Sequence, residues 1–85
     1  MDAYALMLSE AAAMTLAAAS RAEQRQLAVI LDEVKSHPFR PGDLHEHDTQ
    51  RRVNEVLVVG DWVVTYWPDH AARELRVVNL ERVED

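Results

Sequence analysis

The last third of the chain, residues 55–84, alternates short apolar runs with turn residues, which is typical of β-strands joined by hairpins. A strand is predicted over residues 53–59, and Gly60-Asp61 follows it as a two-residue turn, because glycine supplies the positive φ of a tight hairpin. Further strands are predicted over residues 62–67 and 75–80, with a polar turn between them. Together these segments predict an antiparallel meander.

The aromatic strand of this meander is expected to have two different faces. Side chains alternate along a strand, so its residues divide into two sets of three. One set is Trp62, Val64 and Tyr66, and the other is Val63, Thr65 and Trp67. The first set is expected to pack in the core, with the tyrosine hydroxyl at the core's edge.

The first half of the chain predicts a strand and two helices. Residues 3–8 are apolar in both alternating sets, which suits a strand covered on one face and shielded on the other. Ser9 is placed to cap a helix over residues 10–19, an alanine-rich segment of high helix propensity. The order Ser20-Arg21-Ala22-Glu23 is a capping box, which predicts the start of a second helix near Arg21.

The second helix has one apolar stripe with the i, i+3, i+4, i+7 spacing of a helical face. Its members are Leu27, Ile30, Leu31 and Val34. The helix is expected to stop at His37-Pro38, because the residue before a proline avoids helical backbone angles. Residues 38–52 predict a polar connection with one short extended piece near Leu44. The predicted class is therefore α+β: an N-terminal strand, an antiparallel helical hairpin and a C-terminal antiparallel meander that completes one sheet.

Composition narrows the class of protein. A chain of 85 residues suits one domain with a small core. Fifteen acidic against nine basic residues give a net charge of −6, which argues against binding nucleic acid through bulk electrostatics. The sequence has no cysteine, no basic start with a long apolar run after it, and no apolar stretch that could span a membrane. A cytoplasmic protein without membrane association is expected.

Four segments carry a family resemblance through their order along the chain. They are Tyr4-Ala5-Leu6-Met7-Leu8-Ser9, Ser36-His37-Pro38-Phe39, Gly60-Asp61-Trp62-Val63-Val64-Thr65-Tyr66, and residues 67–78. This order resembles the RelE/ParE superfamily of toxins from bacterial type II toxin-antitoxin systems. The stretch Tyr66-Trp67-Pro68-Asp69-His70 looks like the turn of a plasmid-stabilisation-like branch. The resemblance covers essentially the whole chain and implies a single toxin domain over residues 1–85.

The resemblance also implies a function. Nuclease members of the superfamily enter the ribosomal A site and cleave messenger RNA without a metal or other cofactor. Arginines and lysines stabilise the transition state there, and a tyrosine, histidine or glutamate moves the proton. The ParE branch poisons DNA gyrase, and both kinds are neutralised by a cognate antitoxin. The expected function is therefore ribosome-dependent mRNA cleavage, and the alternative is a ParE-like or degenerate member that binds only gyrase or its antitoxin.

By this resemblance five residues are candidates for catalysis: Arg51, Arg52, Tyr66, His70 and Arg76. The arginines at 51 and 52 are expected to open a strand on opposite faces, and with Arg76 they would supply cations to a phosphate. Tyr66 or His70 would transfer the proton, the histidine with the help of its neighbour Asp69. Solubilising charge, ion pairing with Glu74 or Glu81, core packing and turn stabilisation are the simpler explanations of the same residues.

Two features depart from the nuclease pattern. Such toxins are typically basic, whereas this chain is acidic. Residues 79–85 contain no tyrosine or histidine, although a basic or aromatic catalytic group is usual at this end. Both departures favour the binding alternative. The valine-rich strand near the C-terminus is also expected at an exposed sheet edge, where it could pair with a partner strand or a second copy of the chain.

Overall fold

The protein forms one five-stranded sheet with two helices packed on one of its faces. This computed structural model describes residues 3–83. The elements are β1 (Ala5–Leu8), α1 (Glu10–Ala18), α2 (Arg21–Ser36), β2 (Leu44–His47), β3 (Val53–Val59), β4 (Trp62–Asp69) and β5 (Glu74–Arg82). The predicted α+β class and the order of its elements are confirmed.

The strands lie in the order β1-β5-β4-β3-β2. Strands β2 to β5 form antiparallel neighbours, and β1 runs parallel to β5. The extended piece predicted near Leu44 is β2, which lies at one edge of the sheet. The valine-rich β5 is an interior strand, so the prediction of an exposed valine-rich edge is wrong. Strand β1 covers β5 through pairs that run from Ala5↔Glu74 to Leu8↔Val77.

Two serines begin the helices as their sequence context predicts. The Ser9 hydroxyl accepts a hydrogen bond of 3.0 Å from the backbone N–H of Ala12. In the capping box, the Glu23 N–H donates to the Ser20 hydroxyl at 3.2 Å, and the Ser20 N–H donates to the Glu23 carboxylate at 2.9 Å. These bonds satisfy helix-terminal N–H groups that have no partner within the helix.

The core lies between the helices and the covered face of the sheet. Its buried members are Ala12, Leu27, Leu31, Val34, Trp62, Val64, Tyr66, Leu75, Val77 and Leu80. The stripe predicted on α2 supplies three of these residues, and Ile30 packs against them partly buried. Trp62, Val64 and Tyr66 all face the helices, so the predicted division of β4 into two faces is confirmed. No helix within residues 3–83 is long and apolar enough to cross a membrane.

Candidate ligand-binding cleft on the open face of the sheet

The sheet face turned away from the helices carries a cleft of about 470 Å³. Its lining comes from β1, β4, β5 and the segment before β3: Met7, Leu8, Ser9, Arg52, Trp67, Asp69, Arg76, Val77 and Val78. Strand pairing explains this assembly, because Arg76 lies opposite Met7 in β1 and opposite Trp67 in β4. The cleft therefore combines residues from both ends of the described chain.

Trp67 and two arginines form the aromatic and cationic part of the cleft. The guanidinium carbon of Arg52 lies 3.9 Å from the centroid of the indole ring, and that of Arg76 lies 5.7 Å from it. Both distances fall within the range of a cation–π interaction. A flat ring beside two guanidinium groups is suited to a ligand that combines planar rings with anionic groups.

Carboxylates already contact both arginines. The Arg76 Nη2 donates to the Glu74 Oε1 at 2.6 Å, and its Nε lies 3.6 Å from the Asp69 Oδ2. Arg76 and Asp69 therefore form an ion pair, but the distance between them is too long for a hydrogen bond. The buried Nε of Arg76 has no hydrogen-bond partner. The Arg52 Nη1 lies 3.8 Å from the Asp48 Oδ2. The positive charge of the cleft is thus partly neutralised by the protein itself.

Ser9 has a structural function at the edge of the cleft. Its hydroxyl donates to the Val78 carbonyl oxygen at 2.6 Å while it accepts from the Ala12 N–H. The hydroxyl therefore connects the start of α1 to β5 and has its proton committed to a carbonyl. This bonding does not suit a nucleophile, which needs a base to take its proton.

A second concavity lies on the covered side, between α2 and β3. This apolar groove has a volume of about 260 Å³, and its lining residues are Val29, Ile30, Glu33, Val34, His37, Arg40, Leu57, Val59 and Tyr66. The helices leave the β3 side of the sheet uncovered, and Val29 is 71% exposed at the groove. The groove is bordered by an ion pair of 3.4 Å between Arg40 and Glu33.

Two solved structures share this architecture. A chain of the toxin–antitoxin complex RelBE2 from Mycobacterium tuberculosis is similar with a TM-score of 0.70 and 14% identity, over 95% of this chain and 99% of that one. A chain of the archaeal RelE–RelB complex from Pyrococcus horikoshii is similar with a TM-score of 0.69 and 15% identity, over 95% and 96% of the two chains. The protein has a RelE-like fold. No protein-family model matches the sequence, and no curated protein is similar to it.

Within this RelE-like fold, Arg52 and Arg76 are the predicted site residues that come together. Arg51 does not join them, because β3 begins at Val53 and both Arg51 and Arg52 lie in the turn before it. The expectation that they open the strand on opposite faces is wrong. The Asp48 carboxylate accepts from the N–H groups of Gln50 and Arg52, at 2.8 and 2.9 Å, and so closes the turn before the strand starts.

Tyr66 lies on the covered face, on the side of the sheet opposite the cleft. It is 2% exposed, and its hydroxyl donates to the Arg40 carbonyl oxygen at 3.3 Å. Burial raises the pKa of Tyr66 above its ordinary value of 10.0, and the nearby Glu55 carboxylate raises it further. The hydroxyl therefore keeps its proton at neutral pH, which agrees with the interpretation of Tyr66 as a core residue.

His70 lies in the turn between β4 and β5, outside the cleft lining. The Tyr4 hydroxyl and the His70 Nδ1 share a hydrogen bond of 2.6 Å, and the imidazole stacks on Phe39 with the ring centroids 4.5 Å apart. The Asp69 Oδ1 accepts from the Ala72 N–H at 3.1 Å, so Asp69 stabilises its own turn. Among residues 3–83, no group of three or more His, Asp or Glu side chains could hold a metal ion.

Trp67 is the main site residue that was not among the candidates from sequence. Alternation along β4 correctly places it opposite the core set, but alternation alone does not mark an aromatic side chain as a ligand contact. A large aromatic residue on the uncovered face of a strand was the available signal, because burial does not explain it there. Met7 and Val78 carried no comparable signal, since their part in the cleft depends on the parallel pairing of distant strands.

Proposed function

We propose that the protein is the toxin component of a type II toxin–antitoxin system and is neutralised by a cognate antitoxin. One observation carries the proposal: the RelE-like fold extends over 95% of the chain and is shared with chains of two toxin–antitoxin complexes. The resemblance of the four sequence segments to the RelE/ParE superfamily, with its plasmid-stabilisation-like turn, agrees with this assignment.

The apolar groove supports an antitoxin partner. An apolar groove exposed on the surface of a small domain commonly marks a site where a partner binds. Here the groove lies between α2 and β3, and its exposed valine and partly buried leucine and valine residues are available to an apolar segment of a second chain. A segment that buries its own apolar side chains in the groove would add stability to a domain with a small core.

The action we assign to the toxin is inhibition of translation by cleavage of ribosome-bound mRNA. The arrangement of Arg52, Trp67 and Arg76 supports it, because guanidinium groups bind phosphates and an indole ring stacks on bases. This local cluster gives an acidic protein of net charge −6 a place where RNA could bind. In this function Arg52 and Arg76 would stabilise negative charge on the phosphate as it develops.

Cell-free translation followed by primer extension on the message tests this action. Cuts at codon spacing that appear only while ribosomes translate are the expected result. The matched control is the double substitution Arg52→Ala and Arg76→Ala, which we expect to remove most of the cutting, because each lost charge-assisted contact weakens the transition state by about 3 kcal/mol. Intact message and undisturbed protein synthesis with the unaltered protein would contradict the nuclease function.

A second candidate is a member that acts through protein binding alone, either on DNA gyrase or only on its antitoxin. The specific observation in its favour is that Tyr66 and His70, the groups assigned to proton transfer, lie outside the cleft lining. A supercoiling assay with purified gyrase separates this candidate from the first. Inhibited supercoiling with intact message would support it, and the double arginine substitution should then change the inhibition only modestly.

A further inference from the structure

We infer that Glu74 and Asp69 compete with an anionic ligand for the Arg76 guanidinium group and thereby set the affinity of the cleft for RNA. The inference rests on the proposed function, because RNA is taken as the ligand of the cleft. The guanidinium group of Arg76, which could bind a phosphate, is already paired with the carboxylates of Asp69 and Glu74.

The first argument is the geometry around the guanidinium group of Arg76. Its Nη2 donates a short bond of 2.6 Å to Glu74, whereas its Nε faces Asp69 at 3.6 Å and has no hydrogen-bond partner. One part of the guanidinium is therefore occupied and another part is incompletely satisfied. A phosphate oxygen can bond the Nη2 only after it displaces the Glu74 carboxylate, and a second oxygen can reach the buried Nε only if Asp69 also moves aside.

The second argument is the position of the two carboxylates in the sheet. Asp69 and Glu74 are direct partners across β4 and β5, on the open face that they share with Arg76. Like charges in this position repel each other and destabilise a strand pair. The Arg76 guanidinium contacts both groups and relieves the repulsion. This relief of repulsion explains why Arg76 pairs with both carboxylates when no ligand is bound.

The third argument is the exposure of the pair. The Arg76 side chain is 43% exposed and the Glu74 side chain 23% exposed, so water reaches the ion pair and weakens it. An interaction of this strength can be displaced by a polyanion that also gains stacking on Trp67. Glu74 therefore limits how tightly the cleft can bind a polyanion.

The experiment compares Glu74→Gln with Glu81→Gln in RNA binding. Both substitutions remove one negative charge from the same face of β5, but the Glu81 carboxylate accepts from the Asn79 side chain and makes no contact with Arg76. Binding is measured by the fluorescence anisotropy of a labelled single-stranded oligouridine. We expect Glu74→Gln to bind it roughly fivefold more tightly than Glu81→Gln, because Glu74→Gln removes a partly exposed ion pair that competes with the RNA for Arg76.

A second variant keeps the inference testable if Glu74→Gln does not fold. Asp69→Asn retains the oxygen that accepts from Ala72, and so keeps the turn. We expect a smaller gain in RNA affinity from it, because Asp69 is only loosely paired with Arg76. Equal affinities of the Glu74 and Glu81 variants would overturn the inference. RNA binding too weak to detect in every variant would also overturn it, since removal of the carboxylate would then not have raised the affinity for RNA.

The two proposals fail in different ways. If Glu74→Gln binds RNA more tightly than Glu81→Gln while the message stays intact in cell-free translation, the inference about Glu74 is supported and the nuclease function is contradicted. If codon-spaced cuts appear but the two variants bind and cut RNA equally, the nuclease function is supported and the inference about Glu74 is contradicted.

Discussion

The two faces of the sheet differ in what their side chains contribute, although the same strands build both. On the covered face, residues such as Val64 and Leu75 are fully buried against the helices. On the open face, Arg52 and Arg76 flank Trp67 and pair with carboxylates. Tyr66 and Trp67 are consecutive in β4, yet the first belongs to the core and the second to the cleft. A single position along a strand therefore separates a core residue from a residue that lines the cleft.

The energetic difference between the faces follows from burial. A fully buried leucine or valine side chain stabilises the fold by about 1.5–3 kcal/mol, whereas an exposed ion pair contributes about 0–1 kcal/mol. The covered face therefore supplies most of the stability of this small domain. The open face, whose charged groups form exposed ion pairs, contributes little. Substitutions on the two faces should consequently affect different measurements.

The largest effect is expected on the covered face. Leu27→Ala removes a fully buried side chain of α2 and leaves a cavity, so it should lower the free energy of unfolding by about 2–5 kcal/mol. Val29→Ala is the matched control on the same helix, because Val29 is mostly exposed and its loss should change stability by only about 0.5 kcal/mol. Urea unfolding measures both. Similar losses from the two variants would show that α2 does not pack on the sheet as described.

A substitution on the open face should change binding and leave stability almost unchanged. Arg52→Ala removes the guanidinium group stacked on Trp67, and we expect oligouridine affinity to fall about tenfold. Arg51→Gly is the control, since it removes the same charge from the neighbouring position, where a φ of 64° suits glycine. Its expected loss is about twofold. Equal losses would mean that bulk charge, and not the stacked arginine, governs binding.

The hairpin between β3 and β4 fixes which residues reach which face, because a register shift of one residue would exchange the faces. Gly60 has a φ of 58°, and a Cβ added there would meet no atom within 4 Å. Gly60→Ala should therefore cost about 1 kcal/mol through backbone strain alone. Gly60→Asn should cost less, because asparagine tolerates this conformation better. Identical urea midpoints for the alanine variant and the unaltered protein would contradict this account of the turn.

The smallest effect is expected at the edge of the core. Tyr66→Phe loses one long hydrogen bond and should cost about 0.5 kcal/mol at neutral pH. The raised pKa of Tyr66 means that the folded protein keeps a proton that the unfolded chain releases above the ordinary pKa of 10.0. This contribution to stability is fully present below that pH and is lost as the pH rises through the folded-state pKa. The stability of the unaltered protein should therefore fall more steeply above pH 10.0 than that of Tyr66→Phe.

Parallel pH profiles for Tyr66→Phe and the unaltered protein would contradict the buried, protonated state of this hydroxyl. Both proteins share every other group that titrates at alkaline pH, so only the difference between their urea unfolding curves is informative.

Local features of the fold could be predicted because neighbouring residues determine them. The Ser20-to-Glu23 capping box, the Gly60 turn and the apolar stripe of α2 each depend on residues a few positions apart. Alternation along β4 likewise assigned Tyr66 and Trp67 to opposite faces. Such signals remain readable in a single sequence because the chemistry acts over one or two turns of chain.

The arrangement of the sheet and the composition of the cleft could not be predicted in the same way. The parallel pairing of β1 with β5 joins segments almost as far apart as the described chain allows, and no local pattern marks it. The turn at Arg51 depends on the Asp48 carboxylate, which competes with strand pairing for the same N–H groups. The candidate site was predicted in part: Arg52 and Arg76 meet in the cleft, whereas Tyr66, His70 and Arg51 lie elsewhere.

The pairing of β1 with β5 also has a consequence for how the protein is made. Among the described strands, β1 is synthesised before the others and has no sheet neighbour until β5 follows it, since β5 is its hydrogen-bonded partner. Contacts of such long sequence separation slow folding. Met7 and Ser9 therefore cannot meet Arg76 and Val78 on a partly synthesised chain. The cleft can therefore form only after β5 has been synthesised.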